Sequence, residues 1–217
     1  MKDARRILSI WLPRFAAELR LRAMGGPPGD APFAVVAEKS SALVLAGVDR
    51  AAEAAGLVPG MGLSDARAIQ PDLVTRPAAP EREAAALAAL ARWAGRWSPL
   101  TATDGADGLI LDVTGCAHLF GGEASLAATA EASLADLGFA ARLAIADTRG
   151  AAWALARFAA AEGPAIAAPG KVGERLHGLP IEGLRLTPET LTLLKRLGLR
   201  RIGELRRLPR TSLQRRF

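Results

Sequence analysis

Ile7-Leu8-Ser9-Ile10-Trp11-Leu12-Pro13-Arg14-Phe15 is the stretch from which the rest of the chain can be read. From Arg6 to Leu12 the apolar residues form a run of strand length, which reads as a short buried strand. Pro13 has no amide to give a ladder and suits the first turn of a helix. Phe15, Leu19 and Arg22 carry that helix to Met24, where Gly25-Gly26-Pro27-Pro28-Gly29 breaks it. Outward from there, Pro32–Val36 and Ala42–Ala46 read as two strands joined by a polar turn at Glu38 to Ser41. Asp49 is placed to cap a helix from Arg50 to Ala55, and Ser64 another from Asp65 to Gln70. Pro77 to Pro80 forms a joint. Beyond it Leu87, Leu90, Ala94 and Trp97 share one helical face, and Glu81 and Glu83 suit that helix's first turn. Leu109–Val113 is a strand, preceded by another near Leu100 to Thr103. Leu126, Ala130, Leu134 and Leu137 mark a helix. Ala141–Ala146 is a strand, followed by a helix capped by Asp147 or Thr148 and running to about Ala160. Gly163 to Gly170 reads as a linker into short helices. The expected class is mixed α/β (α+β), with helices on one face of a sheet, an early insertion and a helical end.

The 217 residues are half hydrophobic, which excludes a disordered chain. Alanine is so abundant that helix propensity alone discriminates poorly. A single cysteine, Cys116, excludes an internal disulfide and fits a reducing compartment. No run of about 18 apolar residues marks a membrane span, and the N-terminus lacks the pattern of a secretory signal. A cytoplasmic protein is expected. The net charge of +6 is uneven: Arg185 to Phe217 carries +8, and the preceding 184 residues carry −2. A basic end on a near-neutral body points to a polyanion.

Within that end, Leu191, Leu194 and Leu197 form a helix face that Gly198 stops, and Leu199, Ile202 and Leu205 resume an apolar pattern after a tight connection. This resembles a helix-hairpin-helix. Gly198 and Gly203 would let backbone approach a phosphate, and the amides opening the second helix would donate to it. Arg200, Arg201, Arg206 and Arg207 would add charge that releases counterions, holding DNA without reading its sequence. The plainer alternative is a helical hairpin with a glycine cap.

Five segments, in order, resemble Y-family DNA polymerases (the UmuC/DinB superfamily). Ile7–Phe15 resembles the first palm motif. Ala46–Met61, with Asp49, Gly56, Pro59, Gly60 and Met61, resembles the fingers segment. Asp107-Gly108-Leu109-Ile110-Leu111-Asp112-Val113-Thr114 resembles the second palm motif, Ala144–Phe158 the later palm segment, and the basic end the thumb. The resemblance implies a palm at 1–29 and 76–162, fingers at 30–75 and a helix-hairpin-helix thumb at 163–217. The family continues into a little finger and a C-terminal extension, both expected to be absent from these residues.

The departures from the family pattern bear on function. The family holds two magnesium ions with three acids. The first falls at Trp11, the second is kept as Asp107, and the Glu beside it falls at Gly108; Pro13 replaces a further Asp. No acid lies between Asp3 and Glu18, so a slip of the alignment cannot restore the missing ligand. Magnesium wants several hard oxygen ligands, and one carboxylate is a poor cage for two ions. The nucleotide-contacting positions also diverge. The sugar-screening aromatic falls at Ala16, the fingers Tyr and Arg at Arg50 and Glu53, and the later Lys at Arg149, after Thr148 in place of Asn. The segments 111–123 and 145–157 resemble the non-catalytic, ImuB-type branch. That branch implies an accessory factor of damage-induced (SOS) mutagenesis and translesion synthesis, with no cofactor. Its implied partners are primer-template or damaged DNA, a RecA-like companion protein, an error-prone replicative-type polymerase and the sliding clamp. Two rivals stay open: an active polymerase that binds Mg2+ through unusual ligands, and a protein-interaction module whose basic end is incidental.

Other constellations carry less. Asp107 and Asp112, at odd spacing, are expected on opposite faces of their strand. His118 and His177 lack partners at zinc spacing, and Cys116 has no catalytic histidine arrangement. Gly121-Gly122 reads as a turn, and Trp93, Trp97 and Trp153 as core. Trp11 is expected to fill the space where metals would sit.

Overall fold

A computed structural model describes residues 5–26, 29, 31–159 and 163–206. The strand read around Trp11 is the centre of the molecule. β1 (Ile7–Trp11) lies third in a five-stranded sheet. It pairs antiparallel with β6 (Gly108–Asp112) on one side and β7 (Arg142–Ala146) on the other. β5 (Thr101–Thr103) forms one edge, and β8 (Ala165–Ile166) runs parallel to β7 at the other. β8 comes from the stretch read as linker. Two residues flanked by Pro and Gly are too short a run to signal a strand.

β1 is apolar at nearly every position because both faces of the sheet are covered. Leu8, Ile10 and Leu12 face α4 (Pro80–Trp93) and α5 (Glu123–Asp136), with α1 (Phe15–Ala23) adding Phe15 to the same core. Ile7 belongs to a second core with Ile110, Ala144, Ala146 and α6 (Arg149–Phe158). The mixed α/β class holds, but the helices are split between the faces. Alanine explains the second layer: Ala151, Ala152, Ala154 and Ala156 are buried in α6 opposite Ala144 and Ala146 of the sheet. Small side chains on both surfaces let helix and sheet pack closely.

A separate three-stranded sheet is inserted between α1 and α4, in the order β3 (Ala42–Val48), β2 (Phe33–Lys39), β4 (Val74–Pro77). The β2–β3 turn places Ser40 and Ser41 at φ 51° and 61°, the left-handed pair that a tight hairpin uses. β4 pairs parallel with β2 and was not visible in the sequence. Asp49 caps α2 (Arg50–Ala54) as expected, accepting from Ala52 N at 2.8 Å and also from Phe33 N at 3.1 Å. α3 (Leu63–Ile69) starts before Ser64, at Gly62, so Ser64 is inside the helix and not its cap. After β8 come α7 (Val172–Leu176), a 3-10 turn at Ile181–Leu184, α8 (Pro188–Arg196) and α9 (Ile202–Leu205). Among the described residues no helix is long and apolar enough to cross a membrane.

Candidate functional site

At one end of the main sheet, the last residue of β1, the turn before β6 and the last turn of α6 converge. Trp11 faces Gly108 across one ladder and Arg142 across the other. Alternation along β1 puts its side chain on the α6 face. Its indole Nε1 donates to Asp107 Oδ2 at 2.8 Å. The other carboxylate oxygen, Oδ1, accepts from Arg157 Nη2, also at 2.8 Å. Asp107 sits in the turn ahead of β6, so strand alternation does not place it, and its carboxylate turns toward α6. Asp112 lies at the far end of β6 against Arg5, at 3.2 Å. The two acids therefore have separate cations and form no pair.

Arg157 follows Trp153 by four residues on α6, so both side chains leave the helix on the same side. The guanidinium lies between rings, 4.4 Å from the Trp153 centroid and 5.4 Å from that of Trp11. Such stacking is favourable and stronger out of water. Beyond Trp153 stands Arg185, 4.9 Å from the ring, with Nη1 at 3.0 and 3.1 Å from the two oxygens of buried Asp104. Arg185 holds a left-handed backbone, φ 56°, at the end of its 3-10 turn. Arg142 covers Trp11 from 5.6 Å and donates to the carbonyls of Arg157 and Ala159. The Arg157 side chain is only 10 % exposed, against 44 % for Asp107. Burial pulls the Arg157 pKa below the ordinary arginine value, and Asp107 opposes that. An arginine stays cationic regardless.

Gly108 is required by space. A Cβ there would lie 2.8 Å from the Asp104 carbonyl, 3.2 Å from that of Ile10 and 3.3 Å from Arg157 Nη2. Pro13 is half-buried in the turn that leaves β1, next to Leu12, whose amide donates to the Asp107 carbonyl at 2.8 Å. The structure thus brings Trp11, Asp107 and Gly108 together, with Pro13 in the adjoining turn. These residues do not fit a pair of magnesium ions. The one carboxylate already has a donor on each oxygen, the positions beside it are an indole and a glycine, and a guanidinium lies against it. Among the described residues no three His, Cys, Asp or Glu side chains are grouped to hold a metal ion.

Of the expected nucleotide positions, Ala16, Arg50 and Glu53 lie on α1 and α2, joined through Arg14, and Arg149 lies on α6. Ala16 packs toward Val35 in the small core beneath the inserted sheet. Arg50 is exposed at the start of α2. Glu53 accepts from Arg14 Nη1 at 2.8 Å, and Arg14 also pairs with Glu18 at 3.1 Å. Arg149 opens α6, roughly 12 Å of helix away from Arg157. It borders an open groove with Arg5, Leu100, Ile110 and Asp112.

The hairpin corrects a further expectation. Gly198 does end α8 in a left-handed conformation, φ 79°. The amides expected to meet phosphate, however, already have acceptors. Arg200 N and Arg201 N donate to Glu204 Oε2 at 2.7 and 2.9 Å, Ile202 N to the Leu179 carbonyl and Gly203 N to that of His177, both at 2.9 Å. Gly203 is needed because the His177 ring lies on it, where a Cβ would come within 2.4 Å. Arg200 remains exposed, Arg201 Nη1 donates to the Gly178 carbonyl at 2.7 Å, and Arg206 Nη1 approaches that of Gly173 at 3.5 Å. Arg207 lies outside the described residues. Sequence reasoning missed Arg157, Arg185, Arg142 and Asp104. The one available signal was the Trp153–Arg157 pair at helical spacing.

A family model described as impB/mucB/samB family matches residues 10–157. Protein ImuB of Caulobacter vibrioides (strain NA1000 / CB15N) is 50% identical over 164 residues, covering 75% of this chain and 35% of that protein. Two solved structures cover 97% of the chain at 16% identity. They are an insertion ternary complex of Dbh DNA polymerase, with a TM-score of 0.79, and DinB from Sulfolobus solfataricus, with 0.75. At that identity they establish the fold alone. The chain spans about a third of the length of the curated relative and 62% of each solved chain.

Proposed function

The chain belongs to the impB/mucB/samB family, a Y-family lineage, and on that premise we propose that it holds DNA as a non-catalytic accessory factor in damage-induced mutagenesis. The observation that carries this is the Asp107 carboxylate, with one oxygen bound by Trp11 and the other by Arg157. Phosphoryl transfer between nucleotides needs metal ions to orient and neutralise the reacting oxygens. A carboxylate with both oxygens engaged in this way does not recruit them. In this reading residues 1–29 and 76–162 act as palm, 30–75 as fingers and 163–217 as thumb. A RecA-like companion, an error-prone replicative-type polymerase and the sliding clamp are the proposed partners, as for the resemblance to ImuB.

Primer extension with Mg2+ or Mn2+ tests the reading. The expected result is no incorporation. Incorporation that disappears in Asp107→Ala would establish the active-polymerase alternative.

DNA holding is assigned to arginine side chains of the hairpin, since its amides are engaged. Fluorescence anisotropy on primer-template DNA should show weak, salt-sensitive, sequence-independent binding. Replacing Arg200 and Arg201 together by Ala should weaken it for every sequence and reduce the salt slope by about 2. An unchanged slope would favour the interaction-module reading.

A further inference from the structure

We infer that Arg157 is a built-in cation that takes the place of a divalent metal at Asp107, so that restoring the family's carboxylates does not by itself restore metal binding. This deepens the non-catalytic reading and rests on it. Three observations converge. Arg157 Nη2 lies 2.8 Å from Asp107 Oδ1, the retained acid of the site. The same nitrogen lies 3.3 Å from where a Cβ at position 108 would start, so a longer acid there would also meet the guanidinium. The guanidinium lies 5.4 Å from the Trp11 ring and 4.4 Å from the Trp153 ring, its side chain is only 10% exposed, and Nη1 has no acceptor among the described residues.

A buried cation with an unsatisfied donor has every reason to engage any further oxygen anion placed beside it. A divalent ion would have to displace a positive charge tethered 2.8 Å from its ligand oxygen, against direct repulsion that solvent at the part-exposed Asp107 only partly screens. Two losses and one gain therefore act together. Trp11 and Gly108 remove acids, and Arg157 neutralises the acid that remains.

The test compares the whole chain carrying Trp11→Asp with the same chain carrying Trp11→Asp and Arg157→Gln. Neither alters Gly108, where any Cβ meets backbone. Circular dichroism confirms folding, and Mn2+ affinity is read by electron paramagnetic resonance of the free ion. With Arg157 present, the two-acid site should bind Mn2+ no better than the parent chain. Removing Arg157 should tighten binding by at least about tenfold, since the charge on the ligands largely sets affinity for a hard cation. Equal tight binding by both variants would overturn the role of Arg157 while leaving the non-catalytic reading of the parent intact. Tight Mn2+ binding and primer extension by the parent would instead defeat that reading itself. If the aspartate variants do not fold, Arg157→Gln alone decides. Freed of its guanidinium, the single Asp107 carboxylate cannot cage two ions but should attract one Mn2+ weakly, enough to broaden the Gly108 amide signal selectively and more than in the parent; equal broadening in the two chains would count against the proposal.

Discussion

Arg6→Ala is expected to destabilise the fold by about 3–5 kcal/mol, the effect of stripping the partner from a buried ion cluster. Arg6 is 7% exposed at the start of β1. Its Nε and Nη2 bind the two oxygens of Glu123 at 2.6 and 2.7 Å, its Nη1 binds Asp147 Oδ1 at 2.5 Å, and Nη2 also reaches the Ala167 carbonyl at 2.7 Å. Asp147 Oδ2 in turn accepts from Gly170 N at 2.8 Å. One guanidinium thus joins the start of α5, the β7–α6 junction and the chain leaving β8. Alanine would leave two carboxylates facing each other with no cation. Lysine would keep the charge but lose the planar fork that serves three acceptors, so Arg6→Lys should recover only part of the loss. Urea denaturation measures both, and the melting temperature of Arg6→Ala should fall on the order of 10 °C. A loss under about 1 kcal/mol would mean that the cluster behaves as an exposed surface pair.

Arg6 also shows where sequence reading stops. The strand that follows it was legible because hydrophobicity is local, and so were α4, α5, β6 and β7, whose apolar residues recur at helix or strand spacing. β4 and β8 were not. Each runs parallel to a strand whose partner is distant in sequence, and nothing in Val74–Pro77 or Ala165–Ile166 records that neighbour. The division of helices between the two faces was hidden for a different reason. α6 buries alanines, and in an alanine-rich chain a small-residue face does not stand out from the background.

The site divides in the same way. The resemblance that sets Trp11 and Gly108 at positions expected to hold acids was readable from order along the chain. That Asp107 is neutralised was not, because its cation comes from 50 residues further on. The hairpin shows the opposite error. Gly198, Gly203 and the arginines suggested amides open to phosphate, but Glu204, two residues beyond Ile202, reaches back to Arg200 N and Arg201 N. A glutamate three residues past a helix start is a recognised cap, and its presence in Arg201-Ile202-Gly203-Glu204 was the signal to weigh against a phosphate nest.

Gly108→Glu, which places an acid where the family resemblance expects one, is expected to cost stability and to create no polymerase. Gly108 pairs with Trp11 in the central ladder, and a Cβ there would stand 2.8 Å from the Asp104 carbonyl and 3.2 Å from that of Ile10. Neither is the mobile end of a side chain. Both are backbone held in the sheet and its turn, so the strand itself must shift. Overpacking of this kind costs about 1–3 kcal/mol. The carboxylate would then emerge beside Arg157 Nη2 and pair with it, recovering some of that cost without yielding a free metal ligand. The cost should therefore be larger for Gly108→Ala, which brings the same Cβ and no compensating charge, than for Gly108→Glu. Paired urea denaturations of the two variants give the order, and primer extension by Gly108→Glu should stay at background. The reverse order would mean that the added carboxylate finds no cation at this site, contradicting the position assigned to Arg157.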